Sequence, residues 1–144
     1  LLPLAALVTP NLPEAARLAG SAEARSIEEL IEQAHAILGL GPSAVLVKGG
    51  HGAGAEAIDV LVDRSGTVER LTAPRVDTIH THGTGCTLSA AITAGLASGL
   101  SLGDACRSGK AFLTAALQSG VARPVGRGRG PVDHLFGIRR PKSG

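Results

Sequence analysis

Thr81-His82-Gly83-Thr84-Gly85-Cys86-Thr87 stands directly before a stretch of small residues with helical composition. Two glycines separated by one residue let successive backbone N–H groups turn toward one point. A helix start adds its dipole and its unpaired donors. Together these make an anion site suited to phosphate. Cys86 falls in the first turn, which places a base or a hydrogen-bonding thiol beside a phosphate-sized hole. On spacing alone the stretch is equally a glycine turn before a buried helix, with Cys86 as a small core residue.

Two further groups of residues follow strand-like runs. Lys48 closes the apolar run Ala44-Val45-Leu46-Val47 and would emerge at a strand's carboxyl end. Ligands bind at that end in open α/β sheets. A solvated lysine at a strand edge fits the same pattern. Asn11-Leu12-Pro13-Glu14 also follows a strand end, and a carboxylate there can hold Mg²⁺ through water. A helix cap with an acidic first turn accounts for it equally.

Several other signatures fail. Gly83-x-Gly85 is not completed by a third glycine, because Leu88 stands there, so the dinucleotide fingerprint is absent. Ser108-Gly109-Lys110-Ala111 resembles the end of a P-loop, but Asp104 replaces its first glycine and Ala111 its final Ser/Thr. Lys110 then reads as a solvated helix residue. His80, His82 and Cys86 lack the companion ligands that a zinc site needs. The pairs in Gly126-Arg127-Gly128-Arg129-Gly130 lack interleaved aromatics, which argues against an RNA-binding segment.

The elements that must position these residues alternate between strand and helix patterns. Leu4 to Val8 reads as a short strand, closed by the turn signal Thr9-Pro10-Asn11. Pro13 opens a helix with Asn11 or Leu12 near its cap, and Gly20 ends it. Ser26 and Glu29 form a capping-box pattern before apolar residues at helical spacing from Ile27 to Leu38. Ala44 to Val47 suits a buried parallel strand. Ala57 to Val62 and Thr67 to Thr72 predict a hairpin turning at Asp63-Arg64-Ser65-Gly66. Cys86 to Leu100 predicts a tightly packed helix, and Leu102 to Leu117 an amphipathic one capped by Ser101. No repeat and no domain boundary are visible, so the expectation is a single α/β domain with an irregular tail over 123–144.

Composition narrows the classes further. With 144 residues, a compact domain with a real core is expected. A net charge of +2 is too small for general nucleic-acid affinity. Phe112 and Phe136 are the only aromatics, which excludes stacking platforms for single strands. No run approaches the roughly 20 apolar residues of a membrane span. Two cysteines are too few for a disulfide framework, so a reduced, cytoplasmic setting is expected. Methionine is absent, and the chain starts at Leu1 inside an apolar run.

Val8-Thr9-Pro10-Asn11-Leu12-Pro13-Glu14-Ala15, Val47-Lys48-Gly49-Gly50-His51 and Thr81-His82-Gly83-Thr84-Gly85-Cys86-Thr87-Leu88-Ser89-Ala90-Ala91 occur in that order. As a set they resemble the carboxyl-terminal half of hydroxymethylpyrimidine/phosphomethylpyrimidine kinases, of the ribokinase-like superfamily. Gly128-Arg129-Gly130-Pro131-Val132 resembles the ending of the same family. The resemblance covers nearly the whole chain, and Cys86 is its specific element, since related sugar and pyridoxal kinases usually carry Asp there.

The resemblance implies a ribokinase-like layered α/β fold, with a mostly parallel sheet flanked by helices and only its carboxyl-terminal portion present. It implies ATP-dependent phosphorylation of the pyrimidine alcohol and then of its monophosphate, for thiamine synthesis. Gly83, Thr84 and Gly85 would form the anion hole, with Cys86 in place of the superfamily's catalytic Asp. Lys48 would approach the ATP phosphates, and Asn11 and Glu14 match an Asn-x-x-Glu element associated indirectly with Mg²⁺. A homodimer is implied. The family's amino-terminal half, with most of the pyrimidine pocket, is missing, so the chain is expected to be an inactive fragment. The alternatives are a pyridoxal-type kinase and a non-catalytic nucleotide-binding or assembly module.

Overall fold

The computed structural model describes residues 1–49, 54–77, 83–122 and 132–138. Contacts cluster in two compact units, Leu1–Arg75 and Val76–Gly144.

The first unit holds helices α1 (Leu12–Ala19) and α2 (Ile27–Leu38) and strands β1 (Ala44–Lys48), β2 (Glu56–Asp63) and β3 (Val68–Pro74). The strands form one sheet in the order β1-β2-β3. Val45, Val47, Val60 and Val62 alternate along β1 and β2 and pack with Ala15, Leu30, Ala34 and Ile37 of the helices. Leu46 and Leu61, on the opposite sheet face, are buried as well. The continuous apolar run of β1 therefore does mark a strand buried on both faces.

Strand direction departs from the mostly parallel sheet that was expected. Among the described strands both pairings are antiparallel. The seven residues 49–55 between β1 and β2 are too few for the crossover of roughly a dozen that parallel neighbours require. Among the described residues parallel pairing is confined to bridges from Val8 to Val45 and from Asn11 to Lys48. The expected strand from Leu4 to Val8 is accordingly absent. Leu2–Leu4 forms a 3-10 turn with Pro3 at its start. Pro10 has no N–H to donate; among the described residues the segment before α1 pairs with β1 through Val8 and the Pro10 carbonyl, and with Ser43 just before β1 through the Ala5 carbonyl.

The predicted β2–β3 hairpin is present. Its turn is organised by Asp63, whose Oδ1 accepts from the amides of Ser65 at 2.8 Å and Thr67 at 3.0 Å. These bonds, with that from the Ser65 hydroxyl leading, hold the Asp63 carboxyl below the usual carboxylate range. Gly20 ends α1 in the left-handed conformation at φ 68°, as its position predicts. At α2, Ser26 accepts from the Glu29 amide, but Glu29 accepts from the Arg25 amide instead of closing the expected capping box.

The second unit holds α3 (Thr84–Ala97) and α4 (Leu102–Ala122), with the turn segment 132–138. Ser101 caps α4 through the Asp104 amide at 3.2 Å. The two helices approach closely because small residues face each other. A β-carbon on Gly95 would meet Ala105 at 3.2 Å, and one on Gly109 would meet Ile92 at 2.7 Å. Lys110 is buried, contrary to the solvated position expected for it. The arginine-glycine stretch at 126–130 and the residues Gly50, His51, His80 and His82 lie outside the described residues.

Candidate active site

Gly83 is the N-cap of α3, with φ 83° and ψ 6°. That left-handed conformation is open to glycine and strained for residues with a β-carbon. Thr84, Gly85 and Cys86 are the first three residues of the helix. No side chain caps this end, and no acidic residue stands in its first turn. Among the described residues nothing neutralises the positive end of α3, which suits it to an anion. Cys86 is exposed there. The backbone turn is braced from behind by Thr87, whose amide and hydroxyl both donate to the Gly83 carbonyl at 2.8 Å.

A cavity of about 870 Å³ adjoins this turn. Gly83, Cys86 and Thr87 form part of its wall, with Ala90 and Ala94 of α3, Phe112 of α4 and His134. Its size suits a small-molecule site with a mainly apolar lining and a few polar groups.

The remaining sequence-predicted residues gather in the first unit, at the carboxyl end of β1. The Lys48 amide donates to the Pro10 carbonyl at 2.8 Å, and Asn11 bridges to Lys48 in parallel. Asn11 and Glu14 form a full capping box. The Glu14 amide donates to Asn11 Oδ1 at 2.9 Å, and the Asn11 amide donates to Glu14 Oε2 at 2.8 Å. One Glu14 carboxylate oxygen is therefore occupied, while the exposed side chain keeps a second. That donor set fits a hard cation held through water and phosphate oxygens, not one in an all-protein cage. Among the described residues no three His, Cys, Asp or Glu side chains converge as a metal site.

Sequence reasoning missed Asp59. It is a carboxylate of 5% exposure on β2, opposite Lys48 in the strand register. Its Oδ1 accepts from the Gly49 amide at 3.1 Å and fixes the path on which the chain leaves Lys48. Gly49 must be glycine, because a β-carbon would run into the Ile58 carbonyl oxygen. The available signal was a charged residue inside the apolar run Ile58-Asp59-Val60-Leu61. His134 was also missed, and nothing in its local sequence pointed to it.

This α/β architecture is shared with solved kinases of the ribokinase-like class. The ADP complex of Bacillus subtilis pyridoxal kinase superposes with a TM-score of 0.85 at 41% identity, covering 93% of this chain and 49% of that one. Staphylococcus aureus pyridoxal kinase in complex with AMP-PCP superposes at 0.86 with 38% identity, covering 93% and 48%. A family model described as phosphomethylpyrimidine kinase matches residues 1–133. The hydroxymethylpyrimidine/phosphomethylpyrimidine kinase of Rhizobium meliloti is 53% identical over 135 residues, covering 94% of this chain and 50% of its own length. The chain belongs to the phosphomethylpyrimidine kinase family and spans about half the length of the curated relatives it matches.

Proposed function

We propose that this chain is the anion-hole part of a kinase that transfers phosphate from ATP to 4-amino-5-hydroxymethyl-2-methylpyrimidine and to its monophosphate, in thiamine biosynthesis. The observation that carries the reading is the start of α3, which has no side-chain cap among the described residues, where Gly83 turns the backbone and Cys86 stands exposed in the first turn. Phosphoryl transfer depends on positioning and charge neutralisation, which such a turn supplies without reorganisation. Relatives bound to ADP and AMP-PCP support nucleotide use.

In this reading Gly83, Thr84 and Gly85 surround the transferred phosphoryl group. Cys86 takes the proton of the attacking hydroxyl. The cavity beside Phe112 receives the apolar part of a ligand. Lys48 neutralises the ATP phosphates, and Asn11 and Glu14 act on Mg²⁺ through water. Mg²⁺, when bound, supplies charge neutralisation between phosphate oxygens. The two compact units belong to one partial domain, with 123–144 as its irregular tail. The whole kinase works in the cytoplasm as a homodimer.

The test is a substrate profile of the whole kinase containing this sequence. ATP-dependent product is expected from hydroxymethylpyrimidine and from its monophosphate. Turnover of pyridoxal alone would replace this reading with a pyridoxal-type kinase, which the likeness to pyridoxal kinases at 38–41% identity favours as the second candidate.

A further inference from the structure

We infer that His134 is a positioning residue of the anion hole, acting through Thr87 on the Gly83 carbonyl; this rests on the kinase reading above. Thr87 Oγ1 lies 2.8 Å from the Gly83 oxygen and 2.8 Å from His134 Nε2. A hydroxyl has one proton, and the Gly83 carbonyl can only accept. With that proton on Gly83, Thr87 Oγ1 must accept from His134, which therefore carries its proton on Nε2. A relay runs from the His134 ring N–H through the Thr87 hydroxyl to the Gly83 carbonyl. Gly83 has the left-handed φ of 83° that opens the α3 N-terminus. Holding its carbonyl backward keeps the next amides turned toward the anion.

His134 is itself held on both sides. Val132 is buried, and its carbonyl accepts from the His134 amide at 3.0 Å. Asp133 accepts from Ser119 of α4 at 2.9 Å. Phe136 packs on Phe112 of α4 with ring centroids 5.3 Å apart. Residues 133 and 136 thus dock one segment against α4 and deliver the imidazole to Thr87, 47 positions away in sequence. The imidazole reaches the Gly83 carbonyl through the Thr87 hydroxyl, so the part assigned to it is orientation.

The experiment compares His134→Ala, His134→Gln and Thr87→Val in the whole kinase. His134→Ala is expected to lower kcat roughly tenfold with the nucleotide KM unchanged, the size of one lost hydrogen bond. His134→Gln, which keeps a side-chain donor, should recover most of it. The His134→Ala/Thr87→Val double variant should be no worse than the poorer single one, because both break one relay. A raised KM with intact kcat would make His134 a ligand contact and overturn the inference. A lower Tm with both constants intact would make it packing and do the same. Ring ¹⁵N signals of unmutated His134 give a readout independent of variant folding and of substrate. A proton on Nε2 supports the relay, and an unprotonated Nε2 overturns it. If the parent enzyme transfers no phosphate to hydroxymethylpyrimidine, the kinase reading fails, while the ring signals still decide the relay.

Discussion

Cys86 and Glu14 illustrate how one side chain answers to both local structure and proposed chemistry. Cys86 is exposed at an uncapped helix start, so burial in a core does not explain its position. If it takes the substrate proton, Cys86→Ala in the whole kinase should lower turnover about 10²–10⁴-fold while nucleotide affinity changes little. Steady-state rates with nucleotide titrations check this, and near-normal turnover would sink the role. Glu14 is shared between a capping box and the proposed cation. Gln serves a capping box as well as Glu does, so Glu14→Gln removes the charge and keeps the cap. The expected outcome is a higher Mg²⁺ requirement with unchanged thermal stability. Lys48→Ala should in parallel weaken ATP binding or slow transfer, because a compact cation is lost. Variants that titrate ATP and Mg²⁺ like the parent would leave Lys48 a strand-end lysine and Glu14 only a cap.

Helix ends and turns carry the architecture at the scale of elements. The Asp63 turn offers a pH test. Its carboxyl is held low by hydrogen bonds from Ser65 and Thr67 in the folded chain, and those bonds are lost on unfolding. A depressed folded value means the stabilisation is complete above the unfolded carboxylate range. It is lost as pH falls through the lower, folded value. Asp63→Asn keeps the shape without the titration, so the acid limb of its stability curve should be shallower than the parent's. Urea midpoints across acidic pH measure it, and parallel limbs would show that the turn contributes nothing to acid stability. Solvent screens this exposed turn, so the effect is small.

Apolar exposure dominates expectations for the whole molecule. Leu1, Leu4 and Ile138 stand largely in solvent, and the cavity wall of α3 and α4 is mainly apolar. Each large apolar side chain left exposed forgoes about 1.5–3 kcal/mol of burial. The match spans about half of the curated relatives, so the remaining surfaces of a kinase are not contributed by these residues. The 144-residue chain by itself is therefore expected to associate and to leave hydroxymethylpyrimidine unphosphorylated. Sedimentation alongside a product assay tests both, and a monomer that turns over this substrate would refute the expectation. Among the described residues no helix is long and apolar enough to cross a membrane.

What the sequence determined by itself was local. Asn11 and Glu14 cap α1 because their oxygens reach amides three residues away. Asp63 to Gly66 turn the hairpin because that conformation depends on few neighbours, and the glycine turn leads into α3, which starts at Thr84, two residues before the expected Cys86. The ordered motifs likewise pointed to the family to which the chain belongs. What needed the tertiary structure involved partners far apart in the chain. The antiparallel direction of β2 beside β1, the turn in place of a strand at Leu2–Leu4, and the burial of Lys110 are of this kind. Asp59 reaches the Gly49 amide across ten positions, and His134 reaches Thr87 across 47. Periodicity and capping report on a residue and its next turn, whereas burial and such contacts follow only when separate elements pack.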